Sequence, residues 1–267
     1  MKKLIISIAI LQGLLITSCT KDISSYNDET KRAANVPAGT LFSNATRNLS
    51  DNLVSASVNT NPFRFIVKHW SMATYQDEAQ FDFSTRNIPQ TWWGAMYRDV
   101  LTDYKESAKI ITDDATLLEG EKANKLAIVD IMQVYVFANL VTTFGDIPYS
   151  QALDPGNVYP VYDDAKTVYS DLLSRLAADI SALNTDNKGF SSSEDFLYAG
   201  SVSKWKKFAN TLRFKLGMIL ADSDAATAKS NVEAADAGAF TSSDDDGLMP
   251  YLSATPNTNP LYADIIL

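Results

Sequence analysis

One cysteine and one histidine in 267 residues leave the chain little nucleophilic or metal-binding chemistry. A lone thiol, Cys19, excludes any disulfide within the chain. With His69 as the single imidazole there is no Cys-His dyad and no cluster of soft metal ligands, and no Ser-His-Asp set stands out. His69 sits beside Trp70, where packing or surface exposure is its expected role. Carboxylates are abundant, so a paired-carboxylate hydrolase is compatible with the composition, yet no spacing nominates two of them. Basic residues are also in deficit: 23 Lys and Arg face 32 Asp and Glu, a net charge of −9. Such a surface repels phosphate backbones and anionic headgroups, which argues against nucleic-acid partners. The expectation is a protein without catalysis, metal or cofactor.

One predominantly apolar run stands at the start of the chain, and it is informative. Lys2 and Lys3 precede thirteen residues, Leu4 to Ile16, followed by Ile16-Thr17-Ser18-Cys19. The run is shorter than the roughly 20 residues a spanning helix needs. A basic start, a short apolar core and small residues before a cut site fit an export signal over residues 1–18, with the cysteine lipidated after cleavage. Cys19 is therefore the expected lipidation site. One acyl chain binds membranes only marginally, whereas two or more hold stably, so a multiply acylated cysteine anchors the body without crossing the bilayer. Loss of Lys2 and Lys3 with the signal leaves 21 basic against 32 acidic side chains, a charge of −11.

Residues 19–39 are polar and carry Ser24-Ser25, Asn27 and Pro37, as a flexible tether does. Beyond them the patterning is helical with almost no strand alternation, and 46% hydrophobic residues supply a sizeable core. Helices are expected at 41–56 and 65–76. From 92 to 111 a stripe of Trp93, Met96, Tyr97, Val100, Tyr104, Ala108 and Ile111 marks a core face. Thr116-Leu117-Leu118-Glu119 has capping-box spacing and opens a helix to Phe144, apolar nearly all round between Leu126 and Val141. Asp130, Gln133 and Asn139 interrupt it, so a buried central helix fits better than a membrane span. Gly145, Pro148 and Pro155 punctuate a loop, Asp163 is placed to cap a helix to about Leu183, and Ser201 or Ser203 opens another. The sum is a mainly all-α chain of about seven helices, in the manner of an α-solenoid of helix pairs, though no strict sequence period proves a repeat.

The pattern as a whole resembles the SusD/RagB family of nutrient-binding outer-membrane lipoproteins, in the SusD-like subgroup. The resemblance rests on the signal ending at Ser18-Cys19, Trp92-Trp93 opening a helix, the stretch Phe144-Gly145-Asp146-Ile147-Pro148-Tyr149-Ser150-Gln151-Ala152-Leu153, and Lys204-Trp205-Lys206-Lys207-Phe208-Ala209-Asn210-Thr211-Leu212-Arg213. It implies a tetratricopeptide-like helical scaffold over 40–240, anchored to the outer membrane and facing outward. It also implies a SusC-like TonB-dependent barrel as partner and an oligosaccharide or peptide as ligand. Family members are longer, and residues 241–267 correspond to the start of a loop-rich second half that supplies much of the family's ligand site. The competing reading is a helical interaction scaffold or adhesin-type lipoprotein with no soluble ligand.

Tyr75, Phe81 and Phe83 surround the polar stretch Gln76-Asp77-Glu78-Ala79-Gln80. Aromatic faces stack on the apolar faces of sugars while neighbouring amides and carboxylates take hydroxyls, so these three are candidate ligand contacts. Packing beneath a loop is the commoner role of such rings. Trp92 falls at the edge of its stripe, where a partly exposed ring serves packing and binding equally well, and it joins the candidates; Trp93, on the stripe, is read as core. Tyr149, Tyr159 and Tyr162 are read as anchors of the loop 145–160. The five basic residues of 204–215 are read as a solvated face. Asp244-Asp245-Asp246 lacks the alternating spacing of a calcium loop and is read as a solvated turn.

Overall fold

A computed structural model describes residues 36–266. The signal, Cys19 and most of the tether lie outside the described residues. The long helices are α1 (Ala38–Val54), α3 (88–113), α4 (Glu119–Phe144), α5 (Ala165–Ala182), α6 (Val202–Ile219) and α7 (Ala225–Asp236), with a single turn α2 (Phe63–Ile66) and a short terminal α8 (Pro260–Ile266). Among the described residues, extended pairing is limited to the antiparallel bridge between Ile147 and Asp163.

Side-chain pairs along each seam give the direction of packing. Thr46 meets Tyr104 while Ser107 donates to the Ala38 carbonyl, so α1 and α3 run antiparallel. Lys122 reaches the Thr112 carbonyl at one end of the α3–α4 seam, and the Trp93 ring packs on Phe144 at the other. Asn124 holds the chain just after α5, and Asp130 pairs with Arg175 near the middle of both helices. Tyr169 donates to the Leu216 carbonyl across α5–α6, and Arg213 donates to Asn231 across α6–α7. Each long helix thus packs against the long helix before it in an up-and-down solenoid, the architecture expected from the helical patterning.

α4 is the central element. Its most apolar window has the composition of a membrane span, yet 61% of that window is buried inside the protein. Buried residues occur all around it from Ala127 to Val141, as they must for a helix with neighbours on several sides. Asn124, fully buried near its start, places Nδ2 2.9–3.1 Å from the carbonyls of Asn184, Asn187 and Lys188, and its Oδ1 accepts the Asn184 amide at 2.8 Å. Asn124→Leu is nearly isosteric but strands those groups, so a loss of about 2 kcal/mol is expected in urea unfolding, with faster amide exchange in 184–188.

Several expected elements differ. The helix at 65–76 is absent beyond α2: Lys68 adopts φ 62°, and the Arg64 carbonyl accepts the amides of His69 and Trp70. Arg64 turns its guanidinium onto carbonyls at the end of α1, among them Leu53, so tertiary bonds hold the turn that propensity would have extended. His69 is exposed. The capping box is not made, because the Thr116 hydroxyl bonds Asp114 and α4 begins at Glu119 without a side-chain cap. Asp164, not Asp163, caps α5 by accepting Thr167 N–H. Asp163 is already committed to the backbone of Tyr149 and Ser150 and to the Ser150 hydroxyl. Ser201 does cap α6, through Lys204 N–H.

The basic residues of α6 are clamps more than a solvated face. Lys204 donates to the Asp244 carbonyl, Lys206 to the Leu183 carbonyl and Lys207 to Asp245. The acidic run is correspondingly not wholly solvated: Asp245 is buried, taking Lys207 at 2.7 Å and the Thr241 amide at 3.0 Å.

Candidate functional site

Because α1 and α3 are antiparallel, the excursion from 55 to 87 emerges at the end of the solenoid where α3 starts and α4 finishes. There it closes a cavity of about 490 Å³. Pro62, Phe63, Ile66 and Phe83 come from the excursion, Pro89 and Trp92 from α3, and Thr142, Thr143 and Phe144 from α4. The walls are aromatic and aliphatic. The Thr142 and Thr143 hydroxyls donate to the carbonyls of Ala138 and Asn139, which leaves their oxygens as acceptors. Apolar stacking surface with a few convergent acceptors suits a polyhydroxylated ligand with apolar ring faces.

Trp92 and Phe83 thus meet in one cavity, although they come from different elements. Phe83 is 37% exposed and available for stacking. Trp92 is only 3% exposed, and Phe63 meets its ring edge-on at 5.0 Å and 85°. The expectation of a partly exposed Trp92 and a buried Trp93 is therefore inverted. The reason is the π-helical stretch Ala95–Leu101 inside α3, whose wider turn inserts extra residues between the first and last thirds of the helix. A constant 100° projection drawn back from Tyr104 lands on Trp93, whereas the real path lands one residue earlier.

Trp93 is instead half-buried in an aromatic cluster. Its ring lies 4.9 Å from Tyr97, 5.0 Å from Phe144 and 6.0 Å from Tyr162, the last near parallel at 25°. Phe144 belongs to both the cavity and this cluster, so aromatic surface continues from Phe83 to exposed Tyr162. The loop role expected of Tyr149 is met: its phenol accepts from Arg175 at 2.6 Å and donates to Asp171. Burial raises that phenol above its ordinary range, so the donor proton is retained. Tyr159 and Tyr162 remain largely exposed.

Tyr75 and Phe81 do not line the cavity. Both rings are exposed on the same excursion, each against a cation: Arg86 lies 5.3 Å from the Tyr75 centroid and Lys68 lies 4.9 Å from that of Phe81. Both residues have positive φ, 56° and 66°, conformations uncommon for side chains of this size. Arg86 ties the excursion together by bonding buried Glu78 and Asn59. Among the described residues no group of three His, Cys, Asp or Glu is placed to hold a metal.

The cavity residues that sequence reasoning missed are Pro62, Phe63, Ile66, Pro89 and the Thr142-Thr143-Phe144 step. The last lies directly before Gly145, which leaves α4 with φ 79°. The family profile described as "Starch-binding associating with outer membrane", SusD-like, matches residues 30–265. The chain belongs to the SusD-like family. No curated protein matches. Solved structures agree on the fold. A chitin-binding protein is 26% identical with TM-score 0.68, over 79% of this chain and 46% of that one. A SusD/RagB family protein from Bacteroides thetaiotaomicron is 22% identical with TM-score 0.68, over 86% and 48%. A SusD homologue from Bacteroides uniformis is 24% identical with TM-score 0.63, over 84% and 47%. This SusD-like chain spans just under half the length of these solved relatives.

Proposed function

We propose that this chain is a non-catalytic lipoprotein of the outer membrane, anchored through Cys19 and facing outward. It binds an oligosaccharide or peptide nutrient and delivers it to a SusC-like TonB-dependent barrel. The observation that carries the reading is the family match over 30–265, which brings with it the description of starch binding at the outer membrane. The chitin-binding relative favours a saccharide over a peptide. The cavity adds the chemistry, with the Phe83 and Phe144 rings for pyranose C–H surfaces, Trp92 packed behind them and threonine oxygens for hydroxyls.

Titration calorimetry against starch-derived and chitin-derived oligosaccharides, with a peptide pool alongside, tests the binding half. Phe83→Ala should weaken the binding saccharide about three- to tenfold, the worth of one aromatic stacking contact. Absence of heat from every pool would favour a scaffold without soluble ligand. Affinity capture from outer membranes tests the delivery half, with co-purification of a large barrel expected. Mass spectrometry of the mature amino terminus should find Cys19 acylated.

A further inference from the structure

We propose that the ligand is an extended, uncharged oligosaccharide chain, and that Tyr162 is a second stacking platform for it outside the aromatic cavity. The proposal rests on the saccharide reading of that cavity and adds a subsite, a chain length and a charge class to it. Phe144 joins the two places. It lines the cavity and meets Trp93 edge-on at 5.0 Å and 76°, and Tyr162 lies over Trp93 at 6.0 Å and 25°. Tyr162 therefore rests one face on Trp93, yet it is 66% exposed, so its other face is open to solvent. A flat ring backed by a second ring and bare on the far side matches the apolar face of a pyranose. It stands two ring spacings from Phe144. A chain of sugars leaving the cavity makes that step, whereas a unit seated inside does not.

The platform is held before any ligand arrives. The Tyr97 ring lies 4.9 Å from Trp93 and its phenol donates to the Pro148 carbonyl at 2.6 Å, which fastens the loop after α4 to α3. Within the loop the Gly156 amide donates to Asp154 Oδ1 at 2.8 Å, and Asn157 Nδ2 donates to Gln151 Oε1 at 2.9 Å. The far end is closed by the bridge between Ile147 and Asp163, the residue next to Tyr162. A ring fixed in this way loses little freedom on binding, so ordering takes little from the stacking gain.

Charge selects among saccharides. No residue lining the cavity is ionisable, and residues 155–162, Pro-Gly-Asn-Val-Tyr-Pro-Val-Tyr, carry no charge. The residues bordering that stretch, Asp154, Asp163 and Asp164, are acids that repel carboxylated sugars. Val158, Tyr159 and Val161 also stand exposed on the loop, so a protein partner is the competing occupant. The unbroken run of rings from the cavity to Tyr162 favours the saccharide.

Titration calorimetry on the purified full chain provides the test, with maltose and maltohexaose, diacetylchitobiose and chitohexaose, and hexagalacturonic acid as probes. In the neutral series that binds, the hexasaccharide should bind at least about tenfold tighter than the disaccharide, because two linked contacts are engaged at once. Tyr162→Ala should weaken the hexasaccharide about three- to tenfold and the disaccharide less than about twofold. Phe83→Ala should weaken both lengths. Tyr162→Phe keeps the ring and should keep the hexasaccharide affinity. Equal affinity of the two lengths, or hexagalacturonic acid binding as tightly as the neutral chain, would overturn the proposal. Hexasaccharide binding untouched by Tyr162→Ala would overturn it too and give the loop to a protein partner; in each of these cases the Phe83→Ala loss still supports the cavity. Heat from none of the saccharides would overturn the cavity reading and the platform together.

Discussion

Replacing Trp205 by alanine should cost about 3–5 kcal/mol, the range for deleting a large buried aromatic. The residue is fully buried at the point where three separate parts of the chain converge. Its ring meets Phe42 of α1 at 6.1 Å, Tyr198 at 5.1 Å and Phe208 at 5.5 Å. Phe42 in turn stacks on Phe190 at 4.2 Å, so the cluster fastens α1 to the connection between α5 and α6. The indole N–H donates to Asp195 Oδ2 at 2.8 Å. Asp195 also accepts the amides of Leu197, Tyr198 and Gly200, which folds the loop that delivers Tyr198 to the cluster. Gly200 is required at that turn: φ is 85°, and a Cβ there would stand 2.5 Å from the Phe190 carbonyl oxygen. Natural domains carry only about 5–15 kcal/mol in total, so Trp205→Ala removes a large share. Denaturant titration followed by circular dichroism measures it. Trp205→Phe keeps most of the packing and loses the N–H, with an expected cost of about 1–3 kcal/mol. Equal stability of all three proteins would show that the cluster contributes nothing.

Asp179→Asn should flatten the dependence of stability on pH between about 4 and 9. Burial, with the Asp130 charge second and opposed by Arg175, pushes the Asp179 carboxyl from its ordinary 3.8 up to about 9. The folded chain therefore keeps a proton that the unfolded chain releases above pH 4. A raised carboxyl pKa contributes stability that is full below about pH 4 and is lost as pH rises through about 9, with a slope of up to about 1.4 kcal/mol per pH unit. Asparagine is neutral throughout and can donate its amide to Asp130, so the variant should gain about 2 kcal/mol on wild type between pH 6 and pH 8. Chemical denaturation at the two pH values gives the comparison directly. Parallel curves for the two proteins would mean that Asp179 is ionised in the native state.

How far these features were legible depends on the range of the interaction behind them. The central place of α4 follows from its nearly continuous apolar run and the buried face of α6 from local periodicity, and Trp205, Phe208, Leu212 and Leu216 lie where the pattern puts them. Ser201 caps α6 because the capping bond spans three residues. The failures share a different cause. Thr116 and Asp163 have the right local spacing for caps, but each is drawn to a competing partner, Asp114 in one case and the Ser150 turn in the other. Lys204, Lys206 and Lys207 looked like solvated charges because their carbonyl and carboxylate partners lie 23 to 40 residues away. The candidate site shows the same division. Phe83 and Trp92 could be nominated as aromatics near a loop, whereas their meeting with Thr142 and Phe144 depends on the antiparallel return of α4.

The sequence by itself determined a helical body, a net acidic charge and the family, because periodicity, charge and short motifs are properties of contiguous residues. Tertiary structure alone decided which tryptophan of the Trp92-Trp93 pair is buried, since a π-helical stretch resets the phase of α3. It also decided that a carboxyl on α5 is buried beside a second on α4, because burial and charge balance are set by neighbours that only the packed helices bring together.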